Sequence, residues 1–398
     1  MRIQPVKSIL PAAAAVLLCA CGGNTDMKKS KEETVQILAV TDPHILSDRL
    51  YDDGIAMQRV IENNDGKMTD KSREILDALL ARAREEKPDV LLVTGDLTNN
   101  GELVSMNDLS EAFAELEKDG IPVLVIPGNH DIAYPYAASY LGDVTGFVEN
   151  VSTAQFHELM DDYGYKDSLY RDEYSFSYIY EVRENLWLMG LDANTEEEPG
   201  AIRKPTLRWA EEHLKEAKEK GIQVITFSHQ NVLRQSDILW QGYVISNENE
   251  VRDLLVRYDV QWNFSGHSHL EHRSVYEGLT DICMGAVSVA PLEYARITVT
   301  PEMEVSYEKA PLGVLEEEAE QRFYAKSRSS VSKQTEGLDI SLEEKEIMND
   351  FGARFNASVF AGKADKAMMQ EEGYLLWEKY AGESFWFAYM KDVLSKAQ

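Results

Sequence analysis

"VQILAVTDPH", residues 35–44, sets how the rest of the chain reads. Its first six residues are an apolar run broken only by Gln36, as expected of a buried strand. Its last four put Asp42 and His44, two metal-ligand types, just past the carboxyl end of that strand. The same motif recurs. "DVLLVTG" (89–95), "PVLVIPG" (122–128), "LWLMGLD" (186–192), "IQVITFS" (222–228) and "VQWNFSG" (260–266) are further short apolar runs, each read as a buried strand.

Helical patterns separate many of these runs. Residues 70–87 carry Ile75, Leu76, Leu79, Leu80 and Ala83 at helical spacing, and Pro88 marks the stop. Residues 205–220 open on Pro205 and close before Gly221, the usual order of helix punctuation. Later, "DICMGAVSVA" (281–290), "YARITVT" (294–300) and "EVSYEK" (304–309) alternate more and read as antiparallel strands. The sum is a layered α/β domain over residues 35–312. Residues 132–180 interrupt it as a tyrosine- and glycine-rich insert with a short helix near 153–163. From residue 313 to 398 the strands stop and a C-terminal helical domain is expected. Its aromatic stretch, Trp377, Phe385, Trp386, Phe387 and Tyr389, is expected to pack onto the main domain.

The charge balance restricts partners. The chain has 40 basic and 69 acidic side chains, a net charge of −29. Such a surface repels a polyphosphate backbone, so a tracked nucleic acid polymer is not expected. A small phosphoester substrate is not excluded, because bound cations can invert the sign of the field inside one cleft.

The N-terminus reads as an export signal over residues 1–21. Arg2 and Lys7 precede an apolar run, Ile9 to Ala20, that is too short to span a bilayer comfortably and is interrupted by Pro11. Leu18-Cys19-Ala20-Cys21 resembles the bacterial lipobox, in which cleavage before the cysteine leaves it lipidated. Cys19 is a mild departure from that pattern; a plain secretory signal or an uncleaved anchor is the alternative. The resemblance implies an exported lipoprotein held by Cys21 at the extracytoplasmic face of the membrane, with residues 22–34 as a polar tether. Cys283 is then a lone cysteine, read as a small buried hydrophobe with no disulfide framework around it.

The chemistry gathers beyond the strand ends. Asp42 and His44 follow the first strand and Asp96 the second. Asn129 and His130 follow the third, His229 the fifth, and His267 and His269 the sixth. Loops past the carboxyl ends of strands share one edge of a layered sheet, where sites assemble. Five of the eight histidines lie in these loops. The set is imidazole and oxygen without thiolate, which favours Mn, Fe, Zn, Co or Ni. Asp42, His44, Asp96, Asn129, His229, His267 and His269 are too many for one ion and enough for two divalent ions, if one carboxylate bridges them. Near "GHSHLEH" (266–272), residues i and i+2 of an extended segment point the same way. His267 and His269 are therefore expected to face the site together, and His272 to stand aside.

The ordered set D-x-H, G-D-x-x-x-x-G, G-N-H-D, a lone His and G-H-x-H is similar to the calcineurin-like metallophosphoesterases. It looks closest to the class III cyclic nucleotide phosphodiesterase branch, including relatives with an added helical domain. The resemblance covers about residues 36 to 310. It implies a four-layer α-β-β-α sandwich of two packed mixed sheets. It also implies roles: Asp42, His44 and His269 at one ion, Asn129, His229 and His267 at the other, and Asp96 bridging. His130 would not bind metal but would assist the leaving oxygen. Gly95, Gly128 and Gly266 would let the backbone turn sharply. A purple iron site is disfavoured, because Asn99 stands where that branch needs a tyrosine.

Two divalent ions make a bridging hydroxide available near neutral pH for in-line attack. The expected activity is thus phosphoester hydrolysis, with a phosphodiesterase, including one for cyclic nucleotides, as the leading reading. A phosphomonoesterase or nucleotidase of the same fold is the alternative; the motif loops show no conspicuous basic cluster, with Arg203, Lys204, Arg234 and Arg273 as candidates only. A non-catalytic, metal-bound surface module is the third reading. Cell-wall phosphodiesters are a further substrate class. Asn99 and Asn100 are candidate phosphate contacts or turn residues, and Gln230 and Asn231 candidate supports. The tyrosines after His130 could wall a base or simply pack the insert.

Overall fold

A computed structural model describes residues 29–397. The signal segment, the lipobox and Cys21 lie outside the described residues. Five strands form one mixed sheet: β1 (Val35–Val40), β2 (Val90–Val93), β3 (Val123–Val125), β13 (Glu293–Val299) and β14 (Val305–Pro311), in the order β14-β13-β1-β2-β3. A hairpin, β4 (Ala138–Leu141) and β5 (Val144–Phe147), stands apart. A second sheet has seven strands: β6 (Tyr170–Arg171), β7 (Tyr178–Arg183), β8 (Leu186–Leu191), β9 (Gln223–Ser228), β10 (Trp262–Ser265), β11 (His272–Tyr276) and β12 (Leu279–Cys283). Its order is β11-β12-β10-β9-β8-β7-β6.

The helices are α1 (Ile55–Asn63), α2 (Ser72–Glu86), α3 (Leu103–Lys118), α4 (Thr153–Met160), α5 (Lys204–Lys220), α6 (Glu248–Arg257), α7 (Glu316–Thr335), α8 (Leu342–Phe360), α9 (Glu372–Ala381) and α10 (Phe385–Lys396). Among the described residues no helix is long and apolar enough to cross a membrane.

The continuous apolar strands are explained by burial on both faces. Along β8, Leu186 and Leu188 face the first sheet, whereas Trp187, Met189 and Leu191 pack under α5 and α6. On the far side of the first sheet, Ile75, Leu76 and Leu79 of α2 and Leu109 and Phe113 of α3 complete the same core. The layers are therefore helix, sheet, sheet, helix. Helix ends follow local chemistry: α5 has Pro at its start and Gly221 at φ 67° past its end, and α8 opens on a Ser341–Glu344 capping box. Helices α7–α10 have a separate core around Phe351, Phe355, Trp377 and Met390, and Leu239 and Leu270 of the sheet domain pack against it.

Strands β1, β2 and β3 run parallel, as do β8, β9, β10 and β12, so their carboxyl ends share an edge. One reading needs correction. "DICMGAVSVA" is a strand only as far as Cys283, and β12 pairs parallel with β10 as well as antiparallel with β11. The rest leaves the sheet to support the first loop: Val287 N–H donates to Thr41 O (3.0 Å) and the Ser288 hydroxyl to Asp42 O (2.7 Å).

Candidate metal centre

The strand-end loops bring the sequence-selected residues into two adjoining groups. Asp42, His44, Asp96 and His269 each offer a ligand atom within 4.8 Å of the others; Asp96, His229 and His267 form the second group. Asn129 joins the latter, its Oδ1 3.1 Å from His229 Nε2. Asp96 belongs to both. Its Oδ2 lies 3.6 Å from His44 Nε2, and its Oδ1 3.3 Å from His229 Nε2.

Hydrogen bonds fix which ring nitrogen faces inward. His229 Nδ1–H donates to Thr94 O (2.9 Å), leaving Nε2 for the site. His269 Nδ1–H donates to Asp65 Oδ2 (2.9 Å), again leaving Nε2. His267 is reversed: Nε2–H donates to Gly242 O (2.7 Å) and leaves Nδ1 with the free lone pair. Such outer partners orient ligating imidazoles.

These residues fit a cation. Asp42 Oδ1 is buried without a hydrogen-bond partner, 3.4 Å from His269 Nε2 and 3.8 Å from His44 Nε2. The two Nε2 atoms are 3.1 Å apart. Two nitrogens bound to one ion at about 2.0–2.1 Å stand roughly 3 Å from each other. The electrostatics agree. Burial resists charge on His229, but Asp96 and Asp42 outweigh it and hold its pKa up at about 9. Burial likewise resists charge on His269, and Asp42 and Asp65 raise it to about 10. Two buried carboxylates thus attract positive charge to this point. His44, where burial prevails, falls well below the ordinary histidine range, and His267 falls to about 4.

The backbone explains the convergence differently from the strand parity expected for "GHSHLEH". His267 and His269 are not extended; they sit at φ 69° and 61°, as Asp42, His44 and Asp96 sit at 52°, 45° and 48°. Left-handed backbone costs a non-glycine residue of order 1 kcal/mol, and such strain gathers at functional sites. The two histidines accordingly go to different groups, while His272 starts β11. The glycine expectation also changes. Gly128 and Gly266 are not at positive φ; a Cβ would lie 2.1 Å from Asp96 N in one and 1.8 Å from Thr41 Oγ1 in the other. Close approach, not a turn, requires glycine there.

His130 stands beside both groups. Its N–H donates to Asp96 Oδ1 (2.9 Å), its ring is 5.2 Å from that of His44, and Tyr134 stacks on it at 4.5 Å. Nδ1–H is shared between Asn99 O and Asn100 Oδ1, both at 3.0 Å, so Nε2 is free. Asn100 therefore holds His130, and the Asn99 amide points to Glu102 Oε1 at 3.4 Å. Gln230 pairs reciprocally with Asn194, and Asn231 donates to Ser265 Oγ (2.7 Å). Of the insert tyrosines, Tyr140, Tyr163 and Tyr165 are buried, whereas Tyr136 is exposed. Arg203 engages Glu197 and Tyr174 O, Arg234 engages Glu248, and Arg273 lies over Trp262. His157 and His213 sit on α4 and α5, and His213 stacks on Tyr170 at 4.0 Å. Cys283 is buried and free.

Three participants escaped the sequence reading. Asp131 receives Leu97 N–H, Thr98 N–H and Gly128 N–H at 2.8–3.0 Å and so ties two motif loops together. Asp65 supports His269, and Lys67 lies 3.6 Å from Asp65. "NDGK" (64–67) signals a turn, but turn chemistry does not say which way it faces.

The profile of the calcineurin-like phosphoesterase family matches residues 35–271, and the chain belongs to that family. It is a metal-dependent phosphoester hydrolase fold with a buried Asp/His cluster able to hold divalent ions. Among individual proteins, one described as "Probable cyclic nucleotide phosphodiesterase" from Vesicomyosocius okutanii subsp. Calyptogena okutanii (strain HA) is 35% identical over 71 residues. That stretch is 18% of this chain and 29% of the relative, so under a third of the relative is matched. A dimetal phosphatase from Danio rerio superposes with a TM-score of 0.50 at 15% identity, over 70% of this chain and 96% of that one. A purple acid phosphatase from yellow lupin (Lupinus luteus) gives 0.48 at 14% identity, over 71% and 52%. At 15% identity the likeness to the Danio rerio protein is one of fold.

Proposed function

We propose that this chain is a dinuclear-metal phosphodiesterase of small phosphoesters, cyclic nucleotides among them, carried by a lipid on Cys21 at the extracytoplasmic face of a bacterial membrane. The observation that carries the enzymatic reading is the Asp96 carboxylate, which offers one oxygen to each ligand group while His130 stands alongside. Asp42, His44 and His269 would hold one ion, Asn129, His229 and His267 the other, and Asp96 both. The name of the Vesicomyosocius relative favours a diester. The short basic stretch, apolar run and lipobox-like residues favour the anchor.

When bound, two divalent ions supply Lewis-acid charge and an activated water. The protein's own part is placement. Asn99 O and Asn100 fix the Nδ1 side of His130, so Nε2 can hold a proton at the leaving oxygen. Since Nδ1–H is committed to those oxygens, a proton on Nε2 makes the ring an imidazolium; burial lowers the His130 pKa, so that imidazolium is the minor form and a strong acid. Tyr134 keeps the ring from rotating.

One observation favours a monoesterase instead. The Lys67 ammonium, with a side chain only 13% exposed, bears on His44 and His130 and could meet a dianionic phosphate. Purified protein loaded with Mn²⁺ separates the readings. Faster cleavage of bis-(p-nitrophenyl) phosphate and of 2′,3′- or 3′,5′-cyclic nucleotides than of p-nitrophenyl phosphate supports the diesterase; the reverse order supports the monoesterase.

A further inference from the structure

The outer partners of the two GHSH histidines both sit on loops gripped by the C-terminal helices. The first grip is α7. Phe323 packs so closely on Gly66 that a Cβ there would lie 2.7 Å from its ring. Arg322 makes two bonds to Asp70, at 2.7 and 3.1 Å, and Lys326 reaches Glu62 O. Between these points, Asn64 folds the turn by receiving Gly66 N–H (3.0 Å) and donating to Lys67 O (2.7 Å). That turn presents Asp65 to His269 Nδ1.

The second grip is α10. Asp392 receives the Ser236 hydroxyl (2.6 Å) and Asp237 N–H (3.0 Å), and Lys396 pairs with Asp237 at 2.7 Å. Leu239 of the same loop enters the helical core. The loop then delivers Gly242 O to His267 Nε2. A third contact lies between the two: Leu270 packs in the helical core, and Glu271 N–H donates to Phe360 O at the end of α8 (3.1 Å).

We propose that the C-terminal helical domain is a working part of the metal centre. It sets the ion affinity of each half through Asp65 and through the 236–242 loop, with Asp65 and Asp392 as positioning residues. The proposal rests on the dinuclear reading above. A free Asp65, 52% exposed at its side chain, would otherwise sample many rotamers, and the grip of α7 holds its turn in the one that meets His269. The division of labour is also specific: α7 serves the His269 half and α10 the His267 half.

The test is a calorimetric Mn²⁺ titration of the full chain, with Asp65→Asn, Asp65→Glu, Asp392→Asn and Glu371→Gln beside wild type. Loss of such an outer partner costs about 10–100-fold in metal affinity. Asp65→Asn is expected to weaken one site by that amount, Asp65→Glu to recover most of it, and Asp392→Asn to weaken the other site. Glu371, paired with Arg354 inside the helical domain, is the control and should leave both sites unchanged. Thermal unfolding of each metal-free variant checks folding; if Asp392→Asn does not fold, the Asp65 pair decides. Affinities within twofold of wild type in Asp65→Asn, no recovery in Asp65→Glu, or an equal loss in Glu371→Gln would each overturn the proposal. Wild type binding no Mn²⁺ would instead remove the dinuclear reading beneath it.

Discussion

His44 and His269 are 225 residues apart in sequence, and their Nε2 atoms are 3.1 Å apart in space. Buried beside the unpartnered Oδ1 of Asp42, the pair fits a cation held by both rings when metal is bound, and a hydrogen bond between them when it is not. Binding to the folded state alone adds about 2.7 kcal/mol of stability when free ion is at a hundredfold its dissociation constant. Chelation should therefore lower the melting temperature, and added Mn²⁺ or Zn²⁺ should raise it progressively. A melting curve indifferent to chelator and metal would count against the site.

Asp96 is the shared group, so its loss is expected to disturb both halves. Asp96→Asn should lower turnover at least ~10³-fold, because removing one negative charge from a two-ion clamp weakens both ions. His229→Ala should act similarly through the second ion. Metal analysis showing two ions per chain with normal turnover in either variant would refute the assignment.

His130 touches no ligand group as a ligand, so its removal should separate chemistry from metal binding. His130→Ala is expected to keep two ions and lose about 10²–10⁴-fold in kcat, the range of a general acid. Asn100→Ala, which leaves Nδ1–H held by Asn99 O alone, should lose less. Unchanged hydrolysis in His130→Ala would favour a different proton donor, or a module without catalysis.

The raised pKa values of His229 (about 9) and His269 (about 10) give a pH prediction. Both rings carry a proton at pH 7.5 without metal, and each ion must displace it. Filling the site should release about two protons, and affinity should rise as much as tenfold per pH unit for each ion up to pH 9. The sign for the metal-free fold is opposite. A histidine with a raised folded pKa contributes stability that is complete below its ordinary value near 6.5 and is lost as pH rises through 9 to 10. Calorimetry in buffers of different ionisation enthalpy counts the protons; a count near zero contradicts this reading.

Gly128 tests the backbone. A Cβ there would lie 2.1 Å from both the N and Oδ1 of Asp96. Gly128→Ala should cost about 2 kcal/mol or more in denaturant unfolding, within the usual range for overpacking, and should lower metal content as well. An alanine variant of full stability and full metal content would show that the two loops are not in fixed contact.

Much of this centre was legible because its residues follow strands that announce themselves. β8 is apolar throughout and β1 is apolar but for the exposed Gln36, since helices cover one face and the partner sheet the other, and polar residues just past such runs stand out. What was not legible came from tertiary contact. The "GHSH" backbone turns left-handed, so strand parity did not apply to it. Gly128 and Gly266 are required by groups more than thirty residues away, and nothing local marks them. Asp65 lies in an ordinary turn after α1 and gains its role only because Phe323 and Arg322, over 250 residues later, hold that turn against His269. "DICMGAVSVA" has strand composition, but after Cys283 it supports Thr41 and Asp42 instead of extending the sheet.

The most direct measurement is an anomalous difference map from crystals soaked in Mn²⁺. Two peaks are expected: one among Asp42, His44, Asp96 and His269, the other among Asp96, Asn129, His229 and His267. A single peak, or none within reach of Asp96, would contradict it.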